Sequence, residues 1–433
     1  MSENLQINQF VDHLFRHEAG RMVSVLTRIF GTSQIELAED VVQDSLVEAI
    51  NQWTYKGVPE NPKAWLYKVA KNKALNFINR EKHKRKYSSE VMHFLKSEAT
   101  TNEALENIFS ETAIQDDQLR MMFTCCHPSI TGDSQVSLTL KTLCGFSIPE
   151  IARAFLTSEE NINKRLVRAR QKIRDDKIPF EVPDAEHLEK RLDTVIQTIY
   201  LLFNEGYSAS KGNDLIRYEL CGEAIRLAEI IANNSAIQNK SNVFASLALM
   251  YLNASRFKSR LSDKGEILTM AEQDRKQWDR TLIQKGFYCL DQAILNKDVS
   301  LYHILAAISA YHCSATDFES TDWSSILSLY DKLLQIDNSP VVMLNRTIAL
   351  SKVNGVNKAI EELEKIKNNS SLASYHLLYS TLAEFYIQIN KFQGAANYLK
   401  IAIRLSSVKT EKDLLQKKLD LCNLKTIKLK NES

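Results

Sequence analysis

Apolar residues along this chain recur at helical spacing in most windows. Ile148, Ile151, Ala152 and Phe155 follow the i, i+3, i+4, i+7 pattern of a helix with one buried face. Ahead of them Ser147 and Glu150 have the S-x-x-E spacing of a capping box, and Pro149 lies in a first turn where its missing N–H costs nothing. Thr157 and Glu160 repeat the box, so a second helix is expected a few residues later. Its apolar positions, Ile162, Leu166, Ala169 and Ile173, fall within a narrow arc that would pack on the first helix. Together the two predict a helix-turn-helix.

Upstream, Glu36 to Trp53 reads as an acidic amphipathic helix. Val41, Val42, Leu46 and Ile50 would lie inside, with Glu39, Asp40, Gln43 and Asp44 outside. In residues 63–86 a core stripe of Trp65, Leu66, Val69, Ala70, Leu75 and Ile78 leaves Lys68, Lys71, Asn72, Asn76 and Arg80 for the other side. Beyond the linker "IPFEVPD" (178–184), Leu188 to Ser210 reads as an amphipathic helix ending in a turn at Gly206. Within 339–405 two segments look alike, with small residues at Ala359 and Ala395, a spacing of 36. Tyr386, Phe392, Ala395, Tyr398 and Ala402 fit the tetratricopeptide pattern, whose repeat is about 34 residues. Such helix pairs stack into a solenoid with a concave protein- or peptide-binding face. A generic helical bundle would show much of the same periodicity.

Composition supports an all-α chain. There are only 12 Gly and 7 Pro in 433 residues, and few alternating β-branched runs. The net charge of +2 does not mark a nucleic-acid binder, but phosphate neutralisation is a property of a local patch. Two such patches exist. Residues 161–174 carry six Lys or Arg and no acid; residues 63–86 carry nine, against the single acid Glu81. A basic, hydrogen-bonding outer helix face suits the major groove. Interleaved aromatics, amides and cations suit single-stranded nucleic acid, although Trp65, Tyr67 and Phe77 could equally be core. The outward acids of Glu36–Trp53 would repel DNA and so belong against protein or solvent.

No run reaches the roughly 18 apolar residues of a membrane span, and the polar start "MSENLQINQF" has no signal-peptide core, so a cytoplasmic protein is expected. The seven cysteines lack C-x-x-C spacing. Cys125, Cys126 and His127 of "TCCHPS" lack a second ligand pair, so buried thiols are expected there and no metal. No Ser/His/Asp constellation or phosphate-binding Gly loop appears, so neither catalytic residues nor a cofactor are expected. Asn204, Glu205 and Tyr207 of "NEGYSAS" read as a packed helix–helix turn, with a small-molecule site as the other possibility.

An acidic helix, an aromatic-basic helix, a polar linker and a helix-turn-helix, in that order, resemble the sigma-70 family. Residues 7–86 resemble its region 2 and 113–176 its region 4, with linkers at 87–112 and 177–187 and a helical extension at 188–433. "AEDVVQDSLVEAI" looks like the helix that binds the β′ clamp of core RNA polymerase, and "NPKAWLYKVAKNKALNFINR" like the segment that melts and reads the −10 element. "LTLKTLCGFSIPEIARAFLTSEENINKRLVRARQKI" looks like the −35 reader. With no region 3, the layout is that of extracytoplasmic-function (group IV) sigma factors. "DDQLRMMFTCCHPS", "YLLFNEGYSAS", "EQDRKQWDR" and "SPVVMLNRTIAL" resemble a subgroup with a C-terminal tetratricopeptide-like extension.

By motif position, the resemblance implies polymerase contacts at Glu39, Asp40, Gln43 and Asp44. It implies −10 contacts at Lys71, Asn72, Asn76 and Arg80, with Asn72 lining the pocket for a flipped base. On the −35 side it implies Asn163, Lys164, Val167 and Arg168, with Lys141 and Arg170 on phosphates. The helical-wheel face gives Lys164, Val167 and Arg168 independently. One departure is the acidic pair Glu159-Glu160 where phosphates approach, which would act against wrong sequences. The implied partners are the β′ clamp and β flap of core polymerase, promoter DNA, and a regulatory protein or peptide on the extension. An operator-binding regulator with a tetratricopeptide sensor is the alternative; it would need neither the acidic helix nor the 63–86 cluster. A scaffold and an enzyme rank below both.

Overall fold

The computed structural model describes residue 14 and residues 18–81, 111–155, 157–207, 216–235, 237–263, 265–295, 299–367, 375–406 and 408–432. Among them every extended element is a helix, and strand-like pairing is confined to one bridge between Leu261 and Ile267. The chain divides into two compact units, Met1–Leu201 with Asn233–Ile237, and Leu202–Ala232 with Gln238–Ser433.

The first unit holds α1 (18–30), α2 (Ile35–Lys56), α3 (Pro62–Glu81), α4 (Glu111–Cys125), α5 (Gly132–Thr142), α6 (Ile148–Phe155), α7 (Glu159–Asp175) and the first part of α8 (Ala185–Tyr207). Helix α8 begins where the "IPFEVPD" linker was expected to end and continues past Leu201 into the second unit. Most of the expected 87–112 linker lies outside the described residues.

Helix α2 buries Val41, Val42 and Leu46 as its periodicity predicts. Ile50 departs from the expectation: it is 37% exposed, and Ala49, on the adjacent arc, is buried in its place. The spacing of Val42, Leu46, Ala49 and Trp53 follows the i, i+4, i+7, i+11 rows of a helix more closely than a row through Ile50 does. In α3 the buried positions are Leu66, Tyr67, Ala70 and Ala74; Trp65, Val69 and Leu75 are half-buried at the flank.

Helices α1–α3 and α4–α7 meet in one core. A Cβ on Gly20 of α1 would lie 1.9 Å from the Leu143 carbonyl oxygen just after α5, so only a residue without a side chain fits between those backbones. Thr32, after α1, donates to the Ile178 carbonyl at 2.8 Å. Asp117 of α4 is fully buried, with Arg28 of α1 at 3.2 Å and Arg120 at 2.7 Å.

The second unit continues with α9 (Tyr218–Asn233), α10 (Ser241–Ala254), α11 (Arg280–Ala293), α12 (Leu301–Ser314), α13 (Trp323–Ile336), α14 (Pro340–Asn354), α15 (Val356–Ile366), α16 (His376–Gln388), α17 (Phe392–Leu405) and α18 (Lys409–Glu432). From α10 onward most helices pack on their sequence neighbours, while α12 packs chiefly on α10, two helices back. Tight turns at Gly355 (φ 88°) and Asn390 (φ 59°) close the α14–α15 and α16–α17 pairs. Ala359 and Ala395, the matched small residues of the two similar segments, are both fully buried. The Tyr398 hydroxyl of the later pair donates to Glu364 of the earlier one at 3.0 Å.

Gly206 forms no turn, contrary to expectation. Helix α8 runs through it, and a Cβ there would meet the Cys221 sulfur at 2.7 Å, so its role is close helix–helix approach.

The Asp117 pair makes a pH prediction. Burial pushes this carboxyl up from 3.8 to about 6, because the Arg28 and Arg120 charges offset desolvation only in part. In the folded state it therefore keeps a proton that the unfolded chain has already lost. Its stability contribution is present below about 4 and is lost as pH rises through about 6. Hydrogen exchange of the α4 amides, corrected for intrinsic rate, should show the wild type losing up to roughly 3 kcal/mol relative to Asp117→Asn across that window. A pH-independent difference would contradict the assignment.

Candidate nucleic-acid interface

Helix α7 shows how the local sequence builds this surface. Its N-cap is Ser158, in an extended conformation (φ −74°, ψ 152°), whose hydroxyl accepts from the Asn161 N–H at 3.2 Å. The cap thus falls one residue after the expected Thr157, and no Thr157–Glu160 box forms. The Thr157 N–H still bonds back to the Ala152 carbonyl, so the turn from α6 is not finished there, and Glu160 pairs with Lys164 at 2.7 Å instead. The Ser147–Glu150 box is present: Ser147 N–H donates to Glu150 Oε2 at 2.8 Å, and Glu150 N–H to Ser147 Oγ at 3.4 Å.

Ile162, Leu166, Ala169 and Ile173 are all at most 1% exposed, as their arc requires. That burial fixes the opposite face outward. Asn163, Lys164, Val167 and Arg168 are all exposed and, with Glu160, line one hollow on the outer surface of α7. Val167, an apolar residue 55% exposed between two cations, has no partner to cover it within the unit's core. A face of this kind combines hydrogen-bond donors, charge and one apolar contact, the set used at base edges in a major groove.

Arg170 points elsewhere. Its guanidinium donates to Glu39 of α2 and reaches Glu36 at 3.3 Å, while Arg174 reaches Glu36 at 3.4 Å. Glu39 was expected to face outward; the Arg170 side chain covers it, leaving the two side chains 10% and 12% exposed. Burial raises the Glu39 carboxyl above the ordinary range despite the nearby Arg170 and Lys141 charges. Asp40, Gln43 and Asp44 do lie on the exposed face of α2.

On α3, Asn72 and Asn76 are exposed and Lys71 is half-buried. Burial, and then the neighbouring Lys68 charge, lower the Lys71 ammonium below its usual value. The side chain of Arg80 lies outside the described residues. The aromatics of this cluster are committed to packing. Trp65 stands edge-on to Trp53 at 5.3 Å, Phe77 to Phe30 at 5.9 Å, and the buried Tyr67 hydroxyl donates to Glu18 at 2.7 Å.

Cys125 and Cys126 are buried beside Thr142 and Thr139, and burial pushes both thiols up, away from the reactive thiolate. Glu36 and Arg174 were not foreseen as partners. They are 138 positions apart, and no local pattern joins them.

Known families match the same segments. The family model for sigma-70 region 2 matches residues 14–84, and that for sigma-70 region 4 matches 120–173. The chain belongs to the sigma-70 family. An uncharacterized protein of Rhizobium meliloti (strain 1021) is 32% identical over 387 residues, 89% of this chain and 90% of its own length. The ECF RNA polymerase sigma-E factor of Salmonella typhimurium is 29% identical over 140 residues, 32% of this chain and 72% of its own. Residues 191–294 match DUF6596, a family of unknown function. In this sigma-70 chain, then, region 2 supplies α2 and α3, region 4 supplies α7, and the Arg170–Glu39 pair joins the two.

That joint is testable against a control on the same helix. Arg170→Ala removes both the cation paired with Glu39 and the side chain that covers it, and should cost about 1–3 kcal/mol in thermal unfolding. Arg168→Ala, on the wet face, should change stability by no more than about 0.5 kcal/mol. Equal effects would mean that the Arg170 pair contributes nothing to packing.

Proposed function

We propose that the chain is an extracytoplasmic-function-type sigma factor that binds core RNA polymerase and directs initiation at promoters with −10 and −35 elements. The observation that carries this reading is the outer face of α7, where Asn163, Lys164, Val167 and Arg168 stand exposed opposite a fully buried stripe. On this reading those four contact the −35 element, and Lys141 and Arg170 approach phosphates. Asn72, Asn76, Lys71 and Arg80 serve the melted −10 strand. The exposed Asp40, Gln43 and Asp44 meet the β′ clamp, with region 4 on the β flap. The protein supplies specificity, and the polymerase supplies the chemistry.

Glu39 and Arg170 pair with one another in this arrangement. Contacts from either one to polymerase or phosphate therefore require that pair to part, and binding energy from the partner must offset its loss. The tetratricopeptide-like extension beyond α8 is proposed to control activity. A covalently attached unit reaches a high effective concentration beside its target, so a weak docking surface suffices.

Two substitutions separate the roles. Charge reversal at Asp40 and Asp44 should abolish binding to core polymerase with the fold intact, since both are exposed. Unchanged core affinity would overturn the clamp assignment. Arg168→Ala should weaken −35 recognition by about 1–3 kcal/mol and relax preference at one base pair. Equal loss on every −35 sequence would make Arg168 a phosphate contact. Tight, specific duplex binding without polymerase would favour the operator-binding regulator instead.

A further inference from the structure

The second unit encloses a cavity of about 880 Å³ between α12–α14 on one side and α16, α18 and the 267–272 segment on another. That volume is the size of a small-molecule site. Its wall between α12 and α14 is a contiguous run of rings and a cation: His312 lies edge-on to Trp323 (5.4 Å), Trp323 to Phe318 (5.3 Å), and the Lys352 ammonium sits 4.7 Å above Phe318.

The charges lining it are unevenly satisfied. Each carboxylate has a partner: Glu384 has Lys418 at 2.6 Å, Glu411 accepts from Ser406 Oγ at 3.0 Å, and Glu272 accepts from Thr269 N–H and Oγ1 at 2.8 and 2.7 Å. The cations do not. Arg260 is largely buried and meets only the Tyr207 carbonyl and ring, and Lys352 meets only the Phe318 ring; neither has a carboxylate partner among the described residues. A buried guanidinium without a counter-charge is costly to maintain, and a site that maintains one is built for an anion. His312 adds a buried Nδ1 with no partner, and burial together with the Arg256 and Arg275 charges holds this ring down to about 3, so it stays a neutral hydrogen-bonding group.

We infer that this cavity binds a small organic anion, its acidic group drawn to Arg260 and Lys352 and its apolar body laid against Trp323 and Phe318. A buried guanidinium, an exposed ammonium and rings along the wall set both halves of that chemistry. Walls from α18 and the 267–272 segment favour a compact ligand over a long extended peptide. The site lies wholly within the second unit and shares no residue with the nucleic-acid surface, so its failure would leave the promoter assignment standing.

The test uses the full chain and two fluorescent probes with nearly the same aromatic body, anionic anilinonaphthalene sulfonate and uncharged N-phenylnaphthylamine. The expected result is saturable binding of the sulfonate at one site per chain, about tenfold tighter than the neutral probe. Lys352 is exposed, so Lys352→Met should fold normally; it should remove most of that tenfold preference and leave the neutral probe unchanged. Lys332→Met, an exposed lysine outside the cavity, should change neither. The inference is overturned by unsaturable binding, by equal affinity for the two probes, or by equal effects of the two lysine substitutions.

Discussion

A carboxylate taken out of water needs a cation beside it, and in the first unit that requirement ties region 2 to region 4. Asp117 of α4 is fully buried against Arg28 of α1, and Glu39 of α2 is covered by Arg170 of α7. Moving the modules apart would leave Asp117 buried without Arg28, which costs several kcal/mol, and would break the Glu39–Arg170 pair. The backbone approach at Gly20 and the Thr32–Ile178 hydrogen bond bring the same elements together without charge. These contacts leave the rest of α7's outer face and the Asp40, Gln43, Asp44 face of α2 uncovered. The surfaces assigned to DNA and polymerase are therefore those that the internal packing does not use.

Much of this was legible in the sequence because it is set locally. Helical periodicity sorted Ile162, Leu166, Ala169 and Ile173 inward with no exception, and the opposite face followed from geometry. The Ser147–Glu150 box is a three-residue relation and was readable as such. What escaped depends on partners far along the chain. Glu39 looks like a wet-face acid until Arg170, 131 positions away, is placed over it. Gly206 looks like a turn residue until Cys221 is packed against it. The shift of the α7 cap from Thr157 to Ser158 is a third kind of miss, since both residues can cap and the backbone of the preceding turn decides between them.

The second unit follows a different economy. Its helices pack mostly on near neighbours in the sequence, α12 on α10 as well as on α13, and Ala359 and Ala395 are matched close-packing points. Along the cavity wall, core residues such as Ile326 and Ala349 stand beside the Phe318 and Trp323 rings and the unpaired Arg260 and Lys352. Periodicity could locate the small residues but not the cavity, because its lining comes from elements separated by more than a hundred positions. A unit of this kind fused to region 2 and region 4 places a candidate sensing surface on the same chain as the promoter reader.

The central claim is that these two modules give core RNA polymerase its promoter. The most direct measurement is run-off transcription with purified full chain, core polymerase and a randomised promoter library. The account predicts transcripts that depend on the chain and begin downstream of one shared bipartite motif, with separate −35 and −10 elements. Transcription no different from core polymerase alone, together with sequence-specific duplex binding that needs no polymerase, would contradict it.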